Sequence, residues 1–424
     1  MQKTRPPHPP STAPPDDERS LDRVAGWSFL LLVAALPWSI APMSITVGIC
    51  APLTLVLWAR RPDRRPATPI PWPALAWFVA LALSAWFAFD RSASLPRLSK
   101  ALFPLIVPLA ATHARLPRRG RRALAVFLVS ATLAALFGLA LYLAKGAAWP
   151  ARASGAVGHY MTFGGQLLIF VSVAAGVAAL ERTPRWRWGA VLAGSAGCAA
   201  LAATFTRSAW LGLLVSLATL LGLARPRWLP VLAAVFVLAF ALAPAPYRVR
   251  ALSAFDPRDP ANLERTYMWQ GGLAMFRDRP LTGVGLSDLK PIYDRYRPPQ
   301  AHERAGHLHS VPVQIAASMG LAGLVAFALL YGSLFVCTVR GLRASLRRRG
   351  LAAGLRAGVT GLLAGFLVAG LFEWNFGDEE LLYPLYTLVG LAWAARAWDT
   401  GAEAAIPAAG GAAAPDEAAE DGPR

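Results

Sequence analysis

Two histidines, His307 and His309, close the run His302-Glu-Arg-Ala-Gly-His307-Leu-His309-Ser310 and are the side chains in this chain best suited to proton transfer. An unperturbed imidazole titrates at about 6.5 and so accepts a proton near neutral pH. A general base, a metal site built from His302, Glu303, His307 and His309, and a solvated cluster all fit the composition. The zinc-protease pattern fails, because position 306 is Gly. Arg207, in Thr204-Phe-Thr-Arg-Ser-Ala-Trp210, stands alone in a long apolar run. It reads either as an anchor snorkelling to headgroups or as an anion ligand facing a polar cavity. Arg265, in Glu264-Arg-Thr-Tyr-Met-Trp269, opens an amphipathic stretch reaching Phe276. Pro280-Leu-Thr-Gly-Val-Gly285 has neither a preceding strand nor a third glycine, so it reads as a tight turn rather than a dinucleotide loop. Tyr293, Arg295, Tyr296 and Arg297 form an aromatic-basic cluster suited equally to sugar stacking and to headgroup contact.

The elements that must position these residues are apolar helices. Of 424 residues, 55% are apolar and only 16% charged. Globular proteins carry roughly 25% charged residues, so a soluble multidomain enzyme is nearly excluded. A bilayer crossing needs about 20 apolar residues. Such runs occupy 24–59, 66–89, 123–144, 153–180, 188–224, 228–247, 310–339, 357–372 and 381–395, with a weaker one at 101–114. The runs at 24–59 and 188–224 are each long enough for two helices, hinged near Pro37 and Pro42 and at Arg207. The expected fold is an all-α polytopic membrane protein of about twelve spans. Cys50, Cys198 and Cys337 lie in apolar runs without disulfide or metal spacing and are expected to be buried thiols.

The net charge of +18, from 42 Lys+Arg against 24 Asp+Glu, is patterned. Arginines concentrate at 60–65, 115–122, 182–187, 225–227 and 340–349, after every second expected span. The positive-inside rule places those connections and both chain ends in the cytoplasm. Nucleic-acid binding loses its support, since the charge is spread over short loops rather than gathered in one patch. Residues 1–23 and 399–424 are expected to be disordered cytoplasmic tails, and 24–398 the membrane domain. Within it, residues 248–309 form one long outer loop between spans nine and ten, and the turn at 373–380 carries acids on the same side.

These pieces in this order resemble the O-antigen ligase family, which includes related O-antigen polymerases. The resemblance covers roughly 155–398 and rests on Thr206-Arg207-Ser208, Arg265 to Trp269, Pro280 to Gly285, and His307-Leu-His309-Ser310 followed by Met319-Gly-Leu-Ala-Gly323. Gly158-His159-Tyr160 and Asp378-Glu379-Glu380 add to it. Relatives commonly carry Asn where this chain has Ser310, which puts the local geometry in question.

The resemblance implies transfer of a glycan from undecaprenyl diphosphate to the lipid A–core on the periplasmic face of the inner membrane, in lipopolysaccharide biosynthesis, without metal or other cofactor. His309 would be the base, with Arg207 and Arg265 holding the departing diphosphate, since guanidinium binds phosphate bidentately. His307, Trp269, Tyr293 and Arg295 are expected to contact substrate. A polymerase or a protein O-glycosyltransferase shares this donor and differs in acceptor. A transporter or flippase is the rival of a different class. It would place ionisable groups near the bilayer midplane, whereas here they gather at the outer ends of the spans.

Overall fold

The computed structural model describes residues 16–147 and 150–398. The expected tails lie outside these residues except for 16–23, which belong to the first helix rather than to a tail, and Asp22 there pairs with Arg119 at 2.9 Å. The chain is all-helical. Helices α1 (Asp16–Ala35) and α2 (Ile40–Arg60) form a hairpin at the expected prolines, followed by α3 (Pro71–Trp86) and a turn, α4 (Arg91–Ser94). A 3₁₀ stretch, Leu95–Leu105, leads into α5 (Ile106–Ala114). Pro96 and Pro104 lack the N–H that an α-helical ladder would use, which accounts for the tighter coil. Next come α6 (Pro117–Ala144), α7 (Tyr160–Leu180), α8 (Pro184–Ala203), α9 (Arg207–Ala224) and α10 (Leu229–Leu242). The long loop holds α11 (Ala245–Leu252), α12 (Pro260–Asp278) and α13 (Lys290–Tyr293). The chain closes with α14 (Val311–Val339), α15 (Leu342–Arg348), α16 (Leu351–Ala369) and α17 (Glu379–Ala394).

Every expected apolar run contains a helix. Among the described residues, six helices are long and apolar enough to cross a membrane (α2, α6, α7, α9, α14 and α16), or seven if the bent pair at α10 counts as one. The others are shorter, as α3 and α17 are, or begin with charges, as α8 does. Cys50 and Cys337 are buried as expected; Cys198 is exposed on α8, which corrects the expectation for that thiol.

The interior is built on close helix approach. A Cβ on Gly176 would fall 2.3 Å from the Gly354 carbonyl oxygen, and one on Gly365 would fall 2.2 Å from that of Gly212. Small residues thus let α16 pack backbone to backbone against α7 and α9, the common device where helices associate in lipid. Alternate connections meet at the same end. At the arginine-rich end, the Gly350 N–H donates to Leu180 and the Trp398 indole to Ala114, both at 2.9 Å. At the other end, Phe89 N–H donates to Val284 at 3.0 Å and Ala153 N–H to Ala203 at 2.9 Å.

The turn Pro280 to Gly285 has a specific mechanical task. Helix α14 breaks at Gly320, where φ is 63°. The freed backbone groups pair with the turn: Val284 and Gly285 N–H donate to Ala317 and Ser318, and Leu321 N–H donates back to Pro280. A Cβ on Gly283 would fall 2.2 Å from the Ser318 carbonyl carbon, and one on Gly320 would fall 2.5 Å from that of Leu281. Both positions also need the left-handed backbone that glycine tolerates. The loop is therefore stitched to the helix whose first turn follows His309.

Candidate active site

The loop between α10 and α14 has its own small core, in which Met268, Met275, Leu289, Tyr293 and Leu308 are buried. That core fixes the histidine segment. The Trp269 indole donates to the Leu308 carbonyl at 3.1 Å, and Leu308 N–H donates to the Gln314 side chain at 2.8 Å. The Glu264 carboxylate accepts from the backbone N–H groups of His302 and Glu303. Val311 N–H donates to Gly370 at 2.7 Å, which joins the segment to the connection after α16. Ser310 is the N-cap residue of α14 but makes no side-chain cap, so the position where relatives carry Asn is held here by backbone and neighbours. His309 itself has φ 45°, a left-handed conformation of the kind that costs about 1–3 kcal/mol in non-glycine residues and clusters at functional sites.

At this point the ring of His309 meets Glu373. Its Nδ1 lies 2.9 Å from Glu373 Oε1, an oxygen that also accepts the Trp374 N–H at 3.1 Å. Arg265 Nη2 lies 3.5 Å from Glu373 Oε2. Burial by itself would raise the Glu373 carboxyl, but the hydrogen bond and charge of His309, together with Arg265, outweigh it and hold it below the usual range. The ionised carboxylate fixes the tautomer: Nδ1 carries the proton and donates, leaving Nε2 as the basic nitrogen. The His307 ring sits edge-on to His309 with centroids 4.2 Å apart. Burial first, and the charge of His309 second, push His307 down to about 4, so it is neutral at physiological pH.

Ligand atoms of His307, His309 and Glu373 all lie within 4.8 Å of one another, a spacing that could hold a metal ion. The guanidinium of Arg265 beside the carboxylate disfavours a cation there, and Nδ1 of His309 already hydrogen-bonds to Oε1.

Arg207 is placed differently. It starts α9 and donates to Ser253 Oγ at 2.8 Å and Asn262 Oδ1 at 2.9 Å, with Asp259 at 3.8 Å. It therefore ties the outer end of α9 to the loop, and its positive field reaches Arg265. Of the expected site residues, the structure brings together His309, His307, Arg265 and the Trp269 that props the loop. Tyr293 and Arg295 stand apart. Tyr293 is wholly buried in the loop core, packed against Gly271, where burial and then the Glu264 carboxylate push its hydroxyl up to about 12. Arg295 lies over the Phe89 ring at 5.9 Å.

The residue that the sequence reading missed is Glu373. It lay in the acidic turn noted at the outer end, but nothing local singled it out from Asp378, Glu379 and Glu380. Asp378 belongs to a neighbouring network: it accepts from Thr162 at 3.0 Å, and Thr162 lies 3.4 Å from His159 Nδ1. Burial, then Glu373 and Glu380, raise Asp378 to about 6 against the opposing Thr162 hydrogen bond.

A family model described as O-antigen ligase matches residues 189–328, from α8 into α14. The matched span holds Arg207, Arg265, Trp269, His307 and His309, and Glu373 lies beyond it. Residues 189–328, about a third of the chain, thus correspond to the O-antigen ligase domain that this model describes. No curated protein matches the chain.

Proposed function

We propose that this O-antigen ligase domain moves a glycan from undecaprenyl diphosphate to a hydroxyl of the lipid A–core, in lipopolysaccharide biosynthesis at the outer face of the inner membrane. The observation that carries the reading is the His309–Glu373 hydrogen bond of 2.9 Å with Arg265 on the same carboxylate. About twelve apolar helical segments cross, with the arginine-rich connections in the cytoplasm and the loop of residues 248–309 in the periplasm. The meeting of alternate connections at one end supports that arrangement.

In the reaction, Nε2 of His309 accepts the proton of the acceptor hydroxyl while the oxygen attacks the anomeric carbon of the donor sugar. The bond from that carbon to the diphosphate oxygen breaks, and the electron pair leaves with the diphosphate. Glu373 holds the imidazole in the right tautomer and balances the imidazolium that forms, as the carboxylate does in serine hydrolases. Arg265 sits where it can bridge Glu373 and the departing diphosphate, and Arg207 adds positive field while it fixes the loop. A base contributes about 10²–10⁴-fold, and stabilising the leaving group is the larger contribution. No step requires a metal ion, so transfer is expected to survive a chelator.

Deleting the gene in its host and examining the surface glycan tests the assignment. A ligase leaves lipid A–core without long chains while polymer accumulates on the carrier. Core carrying a single repeat indicates a polymerase instead, and normal lipopolysaccharide a different acceptor.

A further inference from the structure

Beside His307 lies a cavity of about 310 Å³ that the proposed reaction does not use. Its inner wall is apolar, with Trp77 and Leu81 from α3, Met319 from α14 and Tyr386 from α17. Its loop-end wall is polar and carries two cations, Arg97 and Lys100, from the 3₁₀ stretch that follows α4. Lys100 donates one hydrogen bond, to the Gly377 carbonyl at 3.0 Å, which leaves two of the three ammonium donors. Among the described residues, no carboxylate lies within salt-bridge distance of Arg97 or Lys100, although Asp378, Glu379 and Glu380 act on Lys100 from farther away. Two further polar atoms on residues lining the cavity, Ser287 Oγ and His307 Nδ1, are buried without a hydrogen-bond partner. Buried polar atoms ordinarily find partners, so such a pair in one cavity with two cations that have no carboxylate at salt-bridge distance marks a place for a hydrogen-bonding anion. Among the described residues the one acid in the lining is Asp288, which is exposed.

We propose that this cavity is a second anionic subsite, which holds a phosphate group of a glycolipid substrate beside His307 and is separate from the guanidiniums of Arg207 and Arg265. The inference rests on the glycan-transfer reading and adds where a substrate's charge is held. Arg265 meets the histidine pair at Glu373, whereas Arg97 and Lys100 share a cavity with His307. The volume is at the small end of the roughly 300–1,000 Å³ of ligand pockets. It admits a phosphorylated sugar headgroup with its first apolar atoms, and excludes a whole lipid chain. Arg97 and Lys100 contact substrate in this scheme, and His307 becomes a wall of the subsite.

Binding to the purified full-length protein in detergent tests it, with four probes: undecaprenyl diphosphate, undecaprenol, lipid A–core, and lipid A–core stripped of its phosphates. In Arg97→Gln and Lys100→Gln, at least one phosphorylated probe should bind about tenfold more weakly or worse, while its unphosphorylated counterpart binds as to the wild type. Loss confined to undecaprenyl diphosphate assigns the subsite to the donor, and loss confined to lipid A–core assigns it to the acceptor. Unchanged affinity for both phosphorylated probes, or equal weakening of all four, overturns the proposal. Arg97 is exposed, so its variant is expected to fold even where Lys100→Gln does not, and Lys100→Arg should keep wild-type affinity. A wild-type protein that binds with this phosphate dependence yet forms no glycan–core product would sink the transfer reading and leave the subsite standing.

Discussion

Each end of the helix bundle holds an arginine, fully buried at one end and half-buried at the other, and the two are satisfied in opposite ways. At the arginine-rich end, Arg356 of α16 is 1% exposed and donates to the carbonyl oxygens of Thr338, Arg340 and Gly341 and to Ser345. The Thr338 and Arg340 carbonyls lie at the end of α14, where no further helical N–H follows to pair with them, and Gly341 and Ser345 belong to the start of α15. Arg356 is a cap made from a distant helix, and all its acceptors in this set are neutral. At the other end, Arg265 shares one carboxylate with an imidazole, in a place that stays partly open. Neutral acceptors ask nothing of protonation and serve stability. A carboxylate between a guanidinium and a histidine sets the proton position on the ring, which is useful only if that ring is to receive another proton.

The contrast predicts separable losses. His309→Ala should lower glycan transfer by about 10²–10⁴-fold at unchanged protein abundance and melting temperature. Glu373→Gln, which keeps the shape and removes the charge, should fall nearly as far. If either variant transfers at the wild-type rate, the two ends do not differ in kind. Arg356→Met should act the other way round. It removes the donor to the buried Thr338 carbonyl and to two more exposed ones, at a cost on the order of 1–3 kcal/mol for a buried group left unsatisfied, visible as a lower melting temperature in detergent. Activity per folded molecule should be retained.

The smallest effect concerns Asp378. Its folded pKa of about 6 stands above the ordinary 3.8, so between those values the folded protein binds a proton that the unfolded chain does not. Stability on this account falls as pH rises from about 4 through about 6, and the full penalty is present at pH 8. Asp378→Asn should therefore raise the melting temperature at pH 8 and lose that advantage near pH 4. An equal shift at both pH values would mean that the side chain acts through packing rather than charge.

Local pattern carried much of this. The hinge before Arg207, the helix through Arg265 and the histidines heading α14 follow from apolar period, isolated charge and helix boundaries, all set within a few residues. The Pro280 turn was legible as a turn, whereas its docking into a break in α14 was not, because the partner backbone is 33 to 41 residues away. Tyr293 shows the same limit from the other side: an aromatic beside arginines suggests a surface contact, yet the loop folds around it.

What the sequence determined by itself is the helical frame, the alternation of its charged connections and the histidine run in which the base is sought. These depend on composition and on spacings shorter than a helix; His309 as that base comes from the family resemblance. Only the tertiary structure decided that Glu373 belongs to His309, that Arg207 ties down a loop while Arg265 joins the histidine pair, and that Arg97 and Lys100 line a cavity beside His307. Those pairings join side chains from separate connections, and hydrogen bonds and charges select them only after helix packing has brought the connections together.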